Sequence, residues 1–349
     1  MPRIDALFDA LIAAGASDLH LAIGHPPMMR QRGDLVPMRG APIESAEMDS
    51  LLFEIASPEQ KKTIVETYDL DFAYDYGQKS RFRANYFYKA TGLAAVFRTI
   101  PTRIMTIEEL GCPPAIRKLA DRRSGLVLVT GPTGSGKSTT LAAMIDHINK
   151  TRACHVLTIE DPVEFVHVPQ RAQITHREIG AHALTYADAI RSAGREDPNV
   201  ILIGELRTNE TMKLALQLAS FGILVFATVH TNGAAATIDR IVNAFSADEQ
   251  PQVRGMLAEG LAGIVAQQLV RAADGKRRLA VHEILVGSAA LSSMIRENKT
   301  FQIPNLMQAG QAQGMQTMDM ALERLVRARE ITHETALEKA IDKESFKLV

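Results

Sequence analysis

A chain of 349 residues, 46% hydrophobic and 23% charged, carries enough apolar material for more than one packed domain. Thirty-nine basic residues against 40 acidic ones leave a net charge of −1, which excludes a global attraction to nucleic acid or to an anionic membrane. Two cysteines, Cys112 and Cys154, are too few for a disulfide framework or a four-cysteine zinc site and suit a reducing cytoplasm, and no run of about 18 uncharged apolar residues is present to span a bilayer.

Residues 4–14 place Ile4, Leu7, Phe8, Leu11 and Ile12 at helical spacing, and Gly15 ends the helix. Asp5 and Asp9 inside that pattern make it amphipathic, unlike a secretory leader. Leu19, Leu21 and Ile23 alternate as a strand, Gly33-Asp34 separates two short runs in hairpin fashion, and Ser57-Pro58-Glu59 has the form of a helix start. Three strand-like runs, 70–76, 81–89 and 93–100, read as a small antiparallel sheet. In the second run Arg81, Arg83 and Asn85 fall on one face while Phe82, Ala84 and Tyr86 fall on the other. One face is therefore core and the other cationic, either a solvated surface or an anion-binding one. Pro101 to Pro114 is the expected linker, with a short capping-box helix at Thr106/Glu109, so the domains are expected at 1–100 and 116–349 with a hinge at 101–115.

Gly125 to Thr140, GLVLVTGPTGSGKSTT, is a buried-strand pattern that breaks into a glycine-rich loop and then a helix. Gly131, Gly134 and Gly136 allow the backbone of Gly131, Thr133, Gly134, Ser135 and Gly136 to turn with its N–H groups inward, at a helix N-terminus that adds positive partial charge. Lys137 adds a point charge for the outer phosphates of a nucleotide, and the Ser138 hydroxyl, with Thr139 beside it, is placed to hold Mg²⁺. The bland alternative is a glycine-rich turn that precedes a helix.

Strand and helix then alternate: 155–161, a helix opening at Thr185, 199–205, a helix from Asn209 to Ser220, and 223–229. Such alternation predicts a parallel sheet covered on both faces, whose ligands bind beyond the carboxyl ends of the strands. Glu205 follows one such strand and is the candidate Mg²⁺-holding acid; Glu160, Asp161 and Glu164 cluster where another ends, and one of them is expected to orient or deprotonate the attacking water, the alternative being a turn cap. His230 ends a third strand, either as a γ-phosphate sensor or as a satisfied core residue. Arg191 and Arg195 are spaced one turn apart on a helix, to face phosphate or to pair with acids. From Asp248 onward helical patterns dominate, interrupted by an alternating stretch at 278–285.

GPTGSGKSTT, TIEDPVEFVH, REDPNVILIGELR, LVFATVHT and SMIRENK, in this order and spacing, make the chain resemble the type IV pilus retraction ATPase family (PilT) of the secretion ATPases over nearly its whole length. The resemblance implies an α/β protein with a PAS-like N-terminal domain, a RecA-like P-loop motor domain and C-terminal helices. It implies an ATP-hydrolysing, Mg²⁺-using homohexamer, cytoplasmic and peripheral to the inner membrane at the pilus base. The partners it implies are an inner-membrane platform protein and a paralogous pilus ATPase, with no nucleic acid and no membrane insertion. Matching residues receive the family's roles: Lys137, Ser138 and Thr139 for phosphate and metal, Glu205 for the Walker-B acid, Glu164 with Glu160 second for the catalytic base, and His230 for the histidine box. Arg81, Arg98 and, less closely, Arg83 match arginines that reach nucleotide, and Arg296, Glu297, Asn298 and Lys299 match the segment that couples ATP use to retraction. Departures fall at Ile223, where a histidine is usual, at Ser220-Phe221, at Gly194, and at Leu206-Arg207-Thr208, a wording nearer the accessory motor PilU. The rival readings are accordingly a PilU-like accessory or other secretion motor, a weakly hydrolysing nucleotide-dependent adaptor, and a nucleic-acid translocase.

Overall fold

Alternation of apolar and polar side chains lays out the first sheet of the computed structural model, which describes residues 2–31, 33–77, 79–100 and 103–346. The expected hinge at 101–115 falls partly outside these, since it includes Pro101 and Thr102. The chain divides into two units, Met1–Arg103 with Asp161–Val166, and Ile104–Glu160 with His167–Val349.

In the first unit, strands β1 (Asp18–Ala22), β2 (Met28–Gln31), β3 (Asp34–Pro37), β4 (Asp69–Tyr76), β5 (Ser80–Lys89) and β6 (Gly92–Ile100) form an antiparallel sheet in the order β3-β2-β1-β6-β5-β4. Phe82, Ala84 and Tyr86 of β5 are buried, as their parity requires, and meet Phe8, Met48, Leu52 and Ile64 from the helices Asp5–Ala13, Ser45–Phe53 and Pro58–Thr67. Phe8 stacks on Phe82 at a centroid separation of 4.3 Å. The Pro58 helix opens with a full capping box between Ser57 and Gln60 and proline in its first turn. The helix Ser45–Phe53 is not marked by the sequence, because its apolar positions Met48, Leu51 and Leu52 are too few to set a clear period.

The opposite face carries a row of register partners, Arg30, Asp18, Arg98 and Arg83, one from each of β2, β1, β6 and β5. Asp18 lies between two cations, with Arg98 Nε at 2.9 Å and Arg30 Nε at 3.8 Å. Burial alone would raise the Asp18 carboxyl, but hydrogen bonds from the Ser17 hydroxyl and the Arg98 guanidinium outweigh it and hold its pKa below the usual carboxylate range.

The second unit contains β7 (Gly125–Thr130), β8 (His155–Glu160), β9 (Gln173–Glu178), β10 (Val200–Ile203), β11 (Leu224–Val229), β12 (Leu261–Arg271) and β13 (Arg278–Val286), in the order β13-β12-β7-β11-β10-β8-β9. All pairings are parallel except β12 with β13. Alternate residues of β7 enter different cores: Leu126 and Leu128 pack with the helices Tyr186–Ala193, Asn209–Ser220, Ala234–Val242 and Gln250–Gly260, and Val127 and Val129 pack with the helices Pro114–Ala120 and Lys137–Thr151. This is the parallel sheet covered on both faces that the alternation of strand and helix predicts. The C-terminal helices Met318–Arg327 and His333–Lys339 close a smaller core over Val270 and Val281.

Four local readings are corrected. The apolar run 261–271, read as helical, is β12, because a segment buried on both faces has no period to separate helix from strand. Gly263 permits it: a Cβ there would lie 2.8 Å from the Leu285 carbonyl across the β12–β13 ladder. Strand β9 went unmarked for lack of apolar alternation in QITHRE. The Thr106/Glu109 capping box forms, with reciprocal bonds of 2.9 and 3.1 Å, but only a turn follows. Arg195 lies beyond the helix that carries Arg191, which ends at Ala193.

Removing the Asp18 carboxylate leaves two cations unmatched on the sheet face. Asp18→Asn is expected to destabilise the protein by about 1–3 kcal/mol at pH 7. Because the folded pKa is depressed, the carboxylate's contribution is present above its unfolded value of about 4 and lost as pH falls through and below it. Urea midpoints at pH 7 and pH 3 check this: the gap between variant and wild type should be clear at the first and small at the second.

Candidate functional site

The loop between β7 and the helix Lys137–Thr151 is built around three left-handed glycines, Gly131, Gly134 and Gly136, with φ of +144°, +77° and +87°. Gly131 is required twice over, since a Cβ there would lie 2.2 Å from the backbone oxygen of Gln267 on β12. At Gly136 a Cβ would meet Gln267 Nε2 at 2.9 Å, whereas at Gly134 it would meet nothing within 4 Å. The loop is thus pressed against β12 at both ends and open at its crown. Lys137 is only 8% exposed, and its Nζ donates to the carbonyls of Gly131 and Pro132 at 3.0 Å each, which folds the ammonium back over the cradle. Ser135 Oγ and Thr130 Oγ1 are buried hydroxyls without a hydrogen-bond partner. Such unpartnered groups are uncommon in a folded interior, and these two lie within and beside the loop. Ser138 is exposed and Thr139 half-buried, just past the loop, and Thr133 is exposed at its crown.

Parallel register brings the strand-end acids to this same edge. Strand β8 pairs with β10 and β10 with β11, so Glu160, Glu205 and His230 leave neighbouring strands on one side of the sheet. Gly204 lets them approach closely: a Cβ on it would be 3.0 Å from the Tyr186 hydroxyl and 3.4 Å from the Glu160 Cα. Glu205 stands 3.4 Å from His230 Nε2 and accepts from Arg207 Nε at 2.9 Å. A half-buried carboxylate held between an imidazole and a guanidinium can hold a hydrated cation or pass charge toward a phosphate.

Glu164 and Asp161 fall in the segment that groups with the first unit, and there they bear on Arg83. A hydrogen bond from Arg83 to Asp71 at 2.5 Å, and then the fields of Glu164 and Asp161, hold its guanidinium more firmly protonated than usual despite partial burial. Arg98 is bound to Asp18, and Arg81 sits two residues before Arg83 on the same face. Arg191 pairs with Asp188 and Glu210, so in this structure it serves acids rather than the loop.

Ile223 precedes β11, and His230 follows it. Six residues of strand separate sheet edges by about 20 Å, so the substituted position lies at the far edge from Lys137. Arg296, Glu297, Asn298 and Lys299 form the exposed end of the helix Ala289–Arg296, where Lys299 pairs with Glu297 at 2.7 Å and Asn298 takes a left-handed φ of +57°.

Two polar residues of the site went unmarked in the sequence, Gln267 and His282. Both are 2% exposed and stand opposite each other on β12 and β13. Their only signal is a polar residue inside an apolar run, which does not point to the loop 130 positions earlier without the sheet order. Among the described residues no group of three or more His, Cys, Asp or Glu is placed to hold a metal alone, and no helix is long and apolar enough to cross a membrane.

Residues 3–339 match the family model described as Type II/IV secretion system protein. The chain is 47% identical over 332 residues to the type IV pilus retractation ATPase PilT of Pseudomonas aeruginosa, covering 95% of this chain and 96% of that protein. It is 37% identical over 347 residues to the type IV pilus ATPase PilU of the same organism, covering 99% and 91%. The crystal structure of the pilus retraction motor PilT with bound ADP superposes with a TM-score of 0.91 at 39% identity, covering all of both chains.

The contrast between the loop's glycines is testable. Gly134→Ala should cost about 1–2 kcal/mol, the price of a left-handed alanine. Gly131→Ala adds a backbone clash and should both destabilise further and abolish nucleotide binding, as read by thermal shift with and without ADP.

Proposed function

This chain belongs to the type II/IV secretion system protein family, and from that premise we propose that it is the ATP-hydrolysing motor of type IV pilus retraction, acting as a homohexamer. The observation that carries the reading is the placing of Lys137, Ser138, Glu205 and His230 at one edge of one sheet, around a glycine loop shaped by close approach. The backbone N–H groups of Thr133, Gly134, Gly136 and Lys137 and the Lys137 ammonium bind the phosphates, once phosphate oxygens replace the loop carbonyls on which Lys137 now rests.

The donor set fits Mg²⁺, a hard cation that takes one or two protein oxygens and completes its shell with water and phosphate. Ser138 and Glu205 would hold it, and when bound it neutralises charge that develops on the transferred phosphoryl group. Water attacks in line, and the chain's work is positioning and charge rather than covalent chemistry. Glu164 is the base, with Glu160 at the end of β8 as the alternative. His230 senses the outer phosphate through its contact with Glu205, and Arg81, Arg98 and Arg83 present their cationic face to nucleotide. Domains at 1–100 and 116–349, joined by a hinge at 101–115, convert the ATP cycle into movement. The exposed helix end at Arg296, Glu297, Asn298 and Lys299 hands that movement on, to an inner-membrane platform protein, from the cytoplasmic side at the pilus base.

A PilU-like accessory motor is the second reading, favoured by Gly194 and Leu206-Arg207-Thr208. The higher identity to PilT, 47% against 37%, weighs the other way.

Two experiments test the assignment. Glu205→Ala should reduce steady-state ATP turnover by a factor of about 10² or more while nucleotide still binds; normal turnover sinks the Walker-B role. Arg296→Ala should leave ATPase activity near wild type and stop retraction, seen as hyperpiliated cells without twitching. A large loss of ATPase would instead make that helix end part of the catalytic fold, and an unchanged pilus count on deleting the gene would favour a redundant paralogue.

A further inference from the structure

Gln267 has a position that nothing in the proposed mechanism uses. It is 2% exposed, on β12, and one residue beyond Ala266, which is the register partner of Thr130 at the end of β7. That sets it level with the first residue of the phosphate loop. Its backbone oxygen lies against Gly131 and its side-chain nitrogen against Gly136, so one residue bounds the loop at both ends.

The hydrogen bonds fix how its amide faces. Nε2 donates to the Ser135 carbonyl at 2.7 Å, and because a carbonyl only accepts, nitrogen must be the atom on that side. The amide oxygen then faces Thr140 Oγ1 at 2.7 Å and His282 Nε2 at 3.2 Å, both of which donate to it. Burial, with the Arg324 guanidinium adding to it, pushes His282 down to about 4, so the ring is neutral and carries one proton, on Nε2. Thr140 and His282 therefore both donate into the amide oxygen while the amide nitrogen donates out to Ser135, with no donor facing a donor, and the Gln267 amide has one orientation. Ser135 O, the group it holds, belongs to the loop's own backbone.

We propose that Gln267 is a positioning residue for nucleotide binding, whose amide bonds the Ser135 carbonyl and so keeps the loop's N–H groups turned toward the phosphates, with His282 and Thr140 setting the amide's direction. A loop whose carbonyls point outward from the cradle needs something outside to accept from, and β12 supplies the donor. The proposal rests on the reading that this loop binds ATP, and touches neither the attacking water nor the metal ligands.

Gln267→Met keeps the length of the side chain and removes all three bonds. In the full-length protein it should raise the dissociation constant for a fluorescent ADP analogue and the KM for ATP by a factor of about ten or more, with kcat at saturating ATP within about threefold of wild type. Thr140→Val, which removes one donor to the amide, should raise both by a smaller factor, about three. A residue that merely supports the fold would lower the nucleotide-free melting temperature and kcat and leave KM alone, and that result overturns the proposal. So does an ADP affinity within twofold of wild type in a folded Gln267→Met variant. If that variant does not fold, Thr140→Val decides: an unchanged KM is then the overturning result. Wild-type protein that fails to bind the ADP analogue, or a Lys137→Ala variant that binds it normally, overturns the nucleotide reading itself and is seen before the Gln267 series begins.

Discussion

The second unit depends on one close approach: the backbone of Gly131 against the backbone of Gln267, with 2.2 Å left where a side-chain carbon would stand. This fixes β12 as the neighbour of β7 and leaves the phosphate loop no room to relax toward the sheet. The loop's turns must then be taken by residues that tolerate positive φ, and the three glycines supply them. At the back of the loop the Ser135 carbonyl is satisfied by Gln267, while the hydroxyls of Ser135 and Thr130 are buried without a partner among the described residues.

From there the sheet distributes the chemistry. Parallel strands end on the same side, so a carboxylate that follows β8, another that follows β10 and an imidazole that follows β11 are brought together by register alone. No long-range contact has to be specified by those residues themselves. The apolar strands behind them are buried on both faces and carry the stability, which leaves Glu205 and His230 free to be placed for charge rather than packing. On β13 the neighbouring pair His282 and Glu283 point to opposite sides. His282 reaches the loop through Gln267, and the Glu283 carboxylate accepts from the N–H groups of Ala234 and Met318, capping one helix after the histidine box and one near the C-terminus. Burial raises the Glu283 pKa against those two bonds, which makes this cap sensitive to its surroundings.

The first unit solves a different problem, how to keep several arginines on one sheet face. Asp18 and Asp71 stand between them: Asp18 bonds Arg98 and is flanked by Arg30, and Asp71 bonds Arg83. The arginine-bearing face is therefore a structured row of cross-strand pairs, not a set of loose charges. A solvated surface and an anion-binding surface differ in that respect, since fixed guanidinium planes present their donors at no further ordering cost.

By itself the sequence determined the elements whose local chemistry is strong: the glycine loop after β7, the alternating strands of the first sheet, the capped helix at Ser57, and the acids and histidine at strand ends. Each rests on neighbours within a few residues, which is the range over which period, capping and turn chemistry act. What failed was of two kinds. The run 261–271 is apolar on both faces and so has no period, and a capping box at Thr106 says where a helix would start but not whether packing continues it. Only the tertiary structure decided that β12 lies beside β7, and with it that Gln267, 131 positions from Gly136 in the chain, is the residue whose amide bonds the glycine loop. Strand order is set by which faces can be buried together, and that is a property of the whole sheet rather than of any stretch within it.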